Sequence, residues 1–238
     1  MKITALMLLF VMLLGMIPAG AAGPINEVGT ALEEELSANA AETEAWKGPL
    51  PDIKGTSLKN SAVKVTRVSG SNREATAIAI SGEVYQKADT VVLASGETYA
   101  DSLAGVPLAY AMDAPLLLVQ KGLNKAILNE LARLQAKKVV ILGGEVAVKR
   151  DVEQGLREKG YETERLAGAT RFETAVEIAE RLETLCGKPK EVFLVSAVTF
   201  PDALSVSSIA ALEKVPILYS GVKGEPDKIT AAWLTGAP

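Results

Sequence analysis

The sequence contains no histidine and a single cysteine, Cys186, among its 238 residues. The lack of histidine excludes Ser-His-Asp and Cys-His catalytic sites and every histidine-ligated zinc site. One cysteine excludes an internal disulfide framework and cysteine-cluster metal sites. We therefore expect neither a metal nor a cofactor, although catalysis by carboxylates remains open.

Positive charge is also scarce, since 25 basic residues face 29 acidic ones and the formal net charge is −4. This balance argues against nucleic acid as a partner, because nucleic-acid-binding surfaces are basic. Long apolar runs are confined to residues 3–17, which follow Lys2 and precede the small residues of 18–22. The run is shorter than the roughly 20 residues of a membrane span and predicts a cleaved signal peptide over residues 1–22. The alternative is a membrane anchor.

The single cysteine leads to an expectation of its own. In an exported chain, the lone thiol of Cys186 would be kept inert most simply by burial.

Residues 23–62 are rich in glutamate and poor in apolar side chains. The sequence Gly48-Pro49-Leu50-Pro51 would stop any helix that begins in the glutamate-rich part. We interpret this stretch as an acidic, mostly disordered linker, with a partner-binding segment as the alternative.

From residue 63 onward, short apolar runs alternate with stretches of helical periodicity. Runs without polar alternation are typical of strands buried on both faces of a parallel sheet. The runs lie at residues 90–94, 115–119, 138–142, 191–195 and 215–219. Amphipathic stripes follow at 124–136, with Asn124 as a candidate cap, and at 171–185. The pattern predicts a three-layer, Rossmann-like α/β unit with a mostly parallel sheet.

An internal repeat is the most specific signal in the chain. Five residues recur 98 positions later, with Arg67, Gly70, Arg73, Thr76 and Ala77 matching Arg165, Gly168, Arg171, Thr174 and Ala175. Farther along, Asp101-Ser102-Leu103 and Pro115-Leu116-Leu117-Leu118 match Asp202-Ala203-Leu204 and Pro216-Ile217-Leu218-Tyr219 at an offset of 101. About three residues are therefore inserted, most simply in the loop at 187–189. The spacing predicts one α/β unit at 63–164 and a second copy of it from 165 to 238.

These motifs resemble the cell-wall-binding repeat type 2 family, which also carries an Ile-Gly-Gly motif that reads Leu142-Gly143-Gly144 here. The resemblance implies a secreted surface protein of Gram-positive or related bacteria. Such proteins attach without a covalent bond to an anionic secondary polymer of the cell wall, of teichoic-acid or polysaccharide type.

The chain departs from the family pattern of three tandem repeats around a pseudo-threefold axis. Pro238 corresponds to Lys137, so repeat 2 is expected to lack its last strand and its Gly-Gly motif. We therefore expect repeat 2 to expose an apolar edge or helix face, and further repeats, in the same chain or in other chains, to be partners.

The repeated arginines are the candidate polymer-binding residues. We expect Arg67 and Arg165 to end a strand, Gly70 and Gly168 to form the turn, and Arg73 and Arg171 to begin a helix. A helix N-terminus and a guanidinium together suit phosphate or carboxylate groups. The alternative hypothesis is structural, with each arginine paired to Asp101 or Asp202. Those two acids are themselves expected to be helix N-caps rather than catalytic groups.

The two proline-led motifs and the glycine pair have both a structural and a functional interpretation. Residues 115–118 and 216–218 are expected to be central strands with proline at the first position. The family resemblance adds polymer binding to Pro115, Leu116, Leu117 and Leu118, and to Pro216, Ile217 and Leu218. Gly143-Gly144 is expected to be a tight turn, because the full dinucleotide-binding glycine pattern is missing.

No catalytic constellation emerges from the sequence, so we expect a secreted, non-enzymatic wall-binding module. Two alternatives remain open. One is an exported small-molecule binding protein with an α/β cleft, and the other is a structural subunit of a surface layer.

Overall fold

Strands and helices alternate throughout residues 66–236, the part of the chain that the computed structural model describes. The predicted signal peptide (1–22), the whole predicted linker (23–62) and the first three residues of predicted repeat 1 (63–65) lie outside the described residues. In repeat 1 the elements are α1 (Arg73–Val84), β1 (Thr90–Ser95), α2 (Ala100–Ala104), α3 (Val106–Ala111), β2 (Leu116–Val119), α4 (Lys125–Leu134), β3 (Lys138–Leu142) and α5 (Arg150–Glu158). Then come β4 (Glu162–Leu166), α6 (Arg171–Cys186), β5 (Phe193–Ser196), α7 (Pro201–Glu213), β6 (Ile217–Ser220) and α8 (Lys228–Thr235).

Two parallel sheets result, one of four strands in the order β2-β1-β3-β4 and one of two strands, β5-β6. Leu93 pairs with Leu117 in the first sheet, and Leu194 pairs with Leu218 in the second. Both pairs are separated by the same offset of 101 residues, so the second copy repeats the register as well as the order of the first. The predicted α/β fold with a parallel sheet is confirmed.

The central strands β1 and β3 are buried on both faces, which explains their unbroken apolar runs. Val91 and Leu93 of β1 pack toward α4 and α5, whereas Val92 and Ala94 pack toward α2, α3 and α6. Alternate residues of a strand point to opposite faces, so an apolar residue is needed at every position. Asn124 caps α4 as expected, accepting hydrogen bonds from the amides of Ala126 and Ile127.

The core between the repeats is continuous. Helix α6 packs against α2 and α3, and α7 packs against α3. Tyr219 of β6 is fully buried, and its hydroxyl donates to the carbonyl oxygen of Ala100 at 2.6 Å. Burial raises the pKa of Tyr219, so the hydroxyl remains a hydrogen-bond donor at all physiological pH values.

Strand β4 is not among the predicted apolar runs, although the expectation that Arg165 lies near the end of a strand is met. It forms the edge of the first sheet, and the predicted repeat boundary at 164/165 falls inside it. Its sequence, Glu-Thr-Glu-Arg-Leu, is polar because its side chains pair with neighbouring charges instead of filling a core. Glu164 lies 2.7 Å from Lys138 Nζ and 2.8 Å from Arg181 Nε. The first strand of repeat 2 thus completes the sheet of repeat 1.

Two details differ from the sequence-based expectations. The insertion in repeat 2 extends a helix as well as a loop, because α6 has 16 residues and α1 has 12. Cys186 is exposed at the end of α6, so the expectation of a buried thiol is wrong. Apolar side chains on α7 are exposed, with Leu204 at 54% and Leu212 at 68%, in agreement with the expected apolar helix face of repeat 2. Within residues 66–236, no helix is both long and apolar enough to cross a membrane.

Candidate functional site

The segment that leads into α1 is built in the same way as the segment that leads into α6. Asn72 and Thr170 cap the two helices through their side-chain oxygens. One turn into each helix, a threonine hydroxyl accepts a hydrogen bond from the backbone amide of the preceding glycine. The donor–acceptor distances are 3.0 Å for Gly70 to Thr76 and 3.1 Å for Gly168 to Thr174.

Glycine is required here by a close approach of backbone to helix. A Cβ on Gly70 would overlap Ala75, and a Cβ on Gly168 would overlap Glu173. The recurring Gly and Thr of the repeat therefore form a clasp that holds the loop on the first helical turn. The predicted turn is present in both copies, and it fixes the direction in which the next arginine points.

Arg73 and Arg171 occupy equivalent positions in that clasp. Each is the first residue of its helix, and each is exposed. Arg73 Nη1 donates to the carbonyl oxygen of Gly96 at 2.7 Å, and Arg171 Nη1 donates to that of Ala197 at 2.6 Å. Gly96 and Ala197 directly follow β1 and β5, so the second copy reproduces the contact at the offset of 101. One nitrogen of each guanidinium is thus anchored to the backbone, while each arginine as a whole remains exposed.

A groove of about 420 Å³ opens beside Arg171, and we call it the junction groove. Its walls are the loop after β1, the turn after β3 and the start of α6, at residues 98–101, 144–147 and 168–174. The chain leaves β1 toward β2 on one side and leaves β3 toward β4 on the other. Neighbouring parallel strands whose connections diverge in this way leave a crevice at their carboxyl ends, which is where open α/β sheets bind ligands.

A second groove of about 360 Å³ lies beside Arg73 and includes Ser95, Ser102, Leu118 and Phe200. Thr98 lines both grooves. The two grooves are therefore neighbours along one edge of the sheet, each with one arginine at a helix start.

Tyr99 stands between the grooves and joins the two repeats. Its hydroxyl donates to the carbonyl oxygen of Val198 at 2.9 Å, and its ring lies 5.8 Å from that of Phe200. The Arg171 guanidinium carbon lies 5.8 Å from the Tyr99 ring centroid, within reach of a cation–π interaction. Tyr99 lies outside the motifs that the repeat singles out. The available signal was that Tyr99 and Phe200 are aromatic residues at equivalent positions, each two residues before the repeated aspartate.

Arg165 has a structural role with a partner that differs from the expected one. It lies in β4, 15% exposed, and its Nε is 2.7 Å from Glu153 Oε2. Its Nη1 also donates to the carbonyl oxygens of Gly143 and Val148. The alternative hypothesis of a structural arginine therefore fits Arg165, but with Glu153 on α5 as its partner instead of Asp101 or Asp202.

Arg67 does not share this environment. It is exposed, and residues 66–70 form no strand. The expectation that Arg67 ends a strand is therefore not met within the described residues.

The repeated aspartates are not helix caps. Asp101 and Asp202 are the second residues of α2 and α7, and the capping positions belong to Tyr99 and Phe200, which make no side-chain cap bond. Asp101 is buried and lines the junction groove, whereas Asp202 is exposed. Burial raises the pKa of Asp101, and the nearby positive charge of Arg171 acts in the opposite direction.

The expectation that the proline-led motifs are central strands is wrong, because β2 is an edge strand of the first sheet and β6 is one of only two strands described in the second. Each proline directly precedes its strand, and most of the motif residues are buried because helices pack against these strands. The buried members are Pro115, Leu117, Pro216, Ile217 and Leu218. Leu116 and Leu118 are half-buried, and Leu118 reaches the groove beside Arg73. These strands set the position of the groove walls.

Gly143 and Gly144 form the expected turn after β3. Gly143 has a φ of +95°, a backbone conformation that favours glycine, and a Cβ there would overlap the Asp101 carboxylate. Gly144 instead lines the junction groove and accepts hydrogen bonds from the amides of Ala147 and Val148. Within residues 66–236, no three acidic or cysteine side chains come together to form a metal site.

A family model for cell wall binding domain 2 (CWB2) matches residues 67–153 and 165–236, which is more than half of the chain. The protein therefore belongs to this family of cell wall binding domains. Each matched segment begins at the repeated arginine, Arg67 or Arg165, three residues before the glycine of one clasp.

Two curated relatives come from Bacillus subtilis (strain 168). The N-acetylmuramoyl-L-alanine amidase LytC is 34% identical over 166 residues, 69% of this chain and 32% of that protein. The amidase enhancer is 29% identical over 162 residues, 68% of this chain and 22% of that protein. This chain thus spans about a third of the length of these relatives or less.

Solved structures from Clostridium difficile show the same fold. Cwp8 matches with a TM-score of 0.64 and 34% identity, over 71% of this chain and 29% of its own. Cwp6 matches with a TM-score of 0.63 and 28% identity, over 75% of this chain and 30% of its own.

Proposed function

We propose that this protein is an exported, non-enzymatic module that attaches to an anionic polymer of the cell wall. In this proposal, Arg73 and Arg171 bind the acidic groups of the polymer in the two neighbouring grooves. The buried motif strands β2 and β6 and the ion-paired Arg165 hold the groove walls in position, and Arg67 adds positive charge at the surface.

The repetition of one arginine geometry carries the proposal. Both guanidinium groups are exposed, both are anchored to a carbonyl oxygen after a strand, and both stand at a helix start. A purely structural arginine has no need of solvent exposure, as buried Arg165 illustrates. A polymer with regularly spaced anionic groups is a ligand that can contact two equivalent cations at once.

The overall charge of the chain agrees with a local recognition mechanism. With a formal net charge of −4, the whole protein does not attract anions at long range. Affinity for an acidic polymer must then arise from the two arginines and the helix N-termini beside them.

The absence of enzymatic activity is part of the proposal. The sequence has no histidine and one cysteine, so it cannot form the common nucleophilic triads. The match to the amidase LytC covers only 32% of that protein. We therefore do not assign amidase activity to this chain.

Sedimentation with purified sacculi tests this function. We expect the full chain to sediment with Bacillus subtilis sacculi that retain their anionic polymers and to stay in solution when those polymers have been removed. Because the binding groups are charged and exposed, added salt should weaken sedimentation progressively. Equal retention on both kinds of sacculi would contradict polymer recognition. No retention on either would favour the small-molecule binding protein.

A further inference from the structure

We propose that the Asp101 carboxylate binds hydroxyl groups of the same polymer, so that the junction groove recognises a sugar unit together with its acidic substituent. This inference rests on the proposed function and adds a second chemical requirement to it. Arg171 binds the anion, and Asp101 accepts hydrogen bonds from the neighbouring hydroxyls.

The environment of Asp101 lacks what a buried carboxylate needs. The residue is 8% exposed, its side chain forms no hydrogen bond with another residue of the described range 66–236, and its carboxylate keeps contact with solvent only where it lines the junction groove. Buried acidic groups are normally paired or hydrogen-bonded, because removing a charge from water is costly. The packing of the protein alone therefore does not explain why an aspartate occupies this position.

The surrounding backbone holds the Asp101 carboxylate in the junction groove. Gly143 packs directly against the carboxylate, and any side chain there would collide with it. Burial is the main cause of the raised pKa of Asp101. A hydrogen-bond donor at the carboxylate would lower that pKa, because it would stabilise the charged form.

The other groups that line the groove indicate which ligand fits. Besides Arg171, the walls carry the hydroxyl-bearing Thr98 and Thr170 and a second acid, Glu145. Two carboxylates would repel a simple anion such as inorganic phosphate. They would instead accept hydrogen bonds from a polyhydroxylated unit whose single acidic group faces the arginine.

Asp202 provides a matched control within the same chain. It holds the equivalent position in the second repeat, but it is exposed and does not line the junction groove. Removal of its charge should therefore leave the affinity for the polymer unchanged.

The test compares Asp101→Asn and Asp202→Asn in the full chain, with affinity for polymer-bearing Bacillus subtilis sacculi and melting temperature measured on each variant. We expect Asp101→Asn to weaken binding about ten- to a hundredfold, the effect of losing one charged hydrogen bond. Its melting temperature should stay the same or rise, because the substitution removes an unpaired buried charge. Asp202→Asn should change neither quantity.

Three results would overturn the inference, and they differ from failure of the proposed function. Unchanged affinity in Asp101→Asn would show that the carboxylate does not contact the polymer. A lower melting temperature with a proportional loss of binding would assign Asp101 a structural role. Equal losses of affinity in both variants would show that the change in net charge weakens binding, and not a contact that is specific to Asp101. If the unaltered chain is not retained at all, the wall-binding proposal itself fails.

Discussion

Replacing Arg73 and Arg171 together with glutamine is expected to abolish most of the affinity for polymer-bearing sacculi. Each lost charged hydrogen bond should reduce affinity about ten- to a hundredfold, and the two losses should combine because the arginines lie in separate grooves. Stability should change little, since both side chains are exposed, form no ion pair within residues 66–236, and contact only carbonyl oxygens and, for Arg171, the Tyr99 ring. Sedimentation and thermal unfolding on the same preparations would measure both effects.

Lys125→Gln is the matched control for this experiment. Lys125 is also an exposed cation at the first position of a helix capped by asparagine, but it lines neither groove. Its replacement should leave both binding and melting temperature unchanged. A double arginine variant that loses stability but retains binding, after correction for the folded fraction, would show that the arginines are structural.

Arg165→Met should have the opposite signature, with a large loss of stability. Arg165 is 15% exposed, and it bonds Glu153 and two backbone carbonyl oxygens that join β3, β4 and α5. Breaking a buried pair strands the remaining charge and costs about 3–5 kcal/mol. The lower end of that range applies, because Glu153 also contacts Arg157. Denaturant unfolding followed by circular dichroism would give the free energy of unfolding.

Arg157→Met is the comparison that isolates burial. Arg157 contacts the same carboxylate as Arg165 but is 62% exposed, so its loss should cost less than about 1 kcal/mol. Combining Arg165→Met with Glu153→Gln should recover part of the stability, because the stranded charge is then removed. Similar costs for the two arginine variants would contradict the assigned role of Arg165.

The sequence was sufficient to predict the elements whose burial leaves a pattern. The runs at β1, β2, β3, β5 and β6 are apolar at successive positions, and all five form strands. Strand β4 could not be found in this way, because an edge strand held by ion pairs carries no apolar run. The residues Glu162, Thr163 and Glu164 are polar and by themselves predict a surface loop. They form a strand because β3 lies beside them and its Lys138 pairs with Glu164.

The candidate site was predictable where the two repeats agree and unpredictable where they diverge. The repeat located Arg73 and Arg171 at helix starts, which the structure bears out. Their use in binding stays a prediction. The aspartates have the same sequence context, yet Asp101 packs against Gly143 in the turn after β3 and is buried, whereas Asp202 is exposed. Such contacts depend on distant elements that local spacing does not encode.

Hydrogen exchange of the full chain with and without polymer released from Bacillus subtilis sacculi tests the central claim most directly. Binding in the junction groove should slow amide exchange in its three walls, at residues 98–101, 144–147 and 168–174. Exchange in α4 and in the second half of α5, which pack on the other face of the sheet, should stay the same. Protection confined to those two helices, or no protection anywhere, would contradict the claim that the groove between the repeats holds the wall polymer.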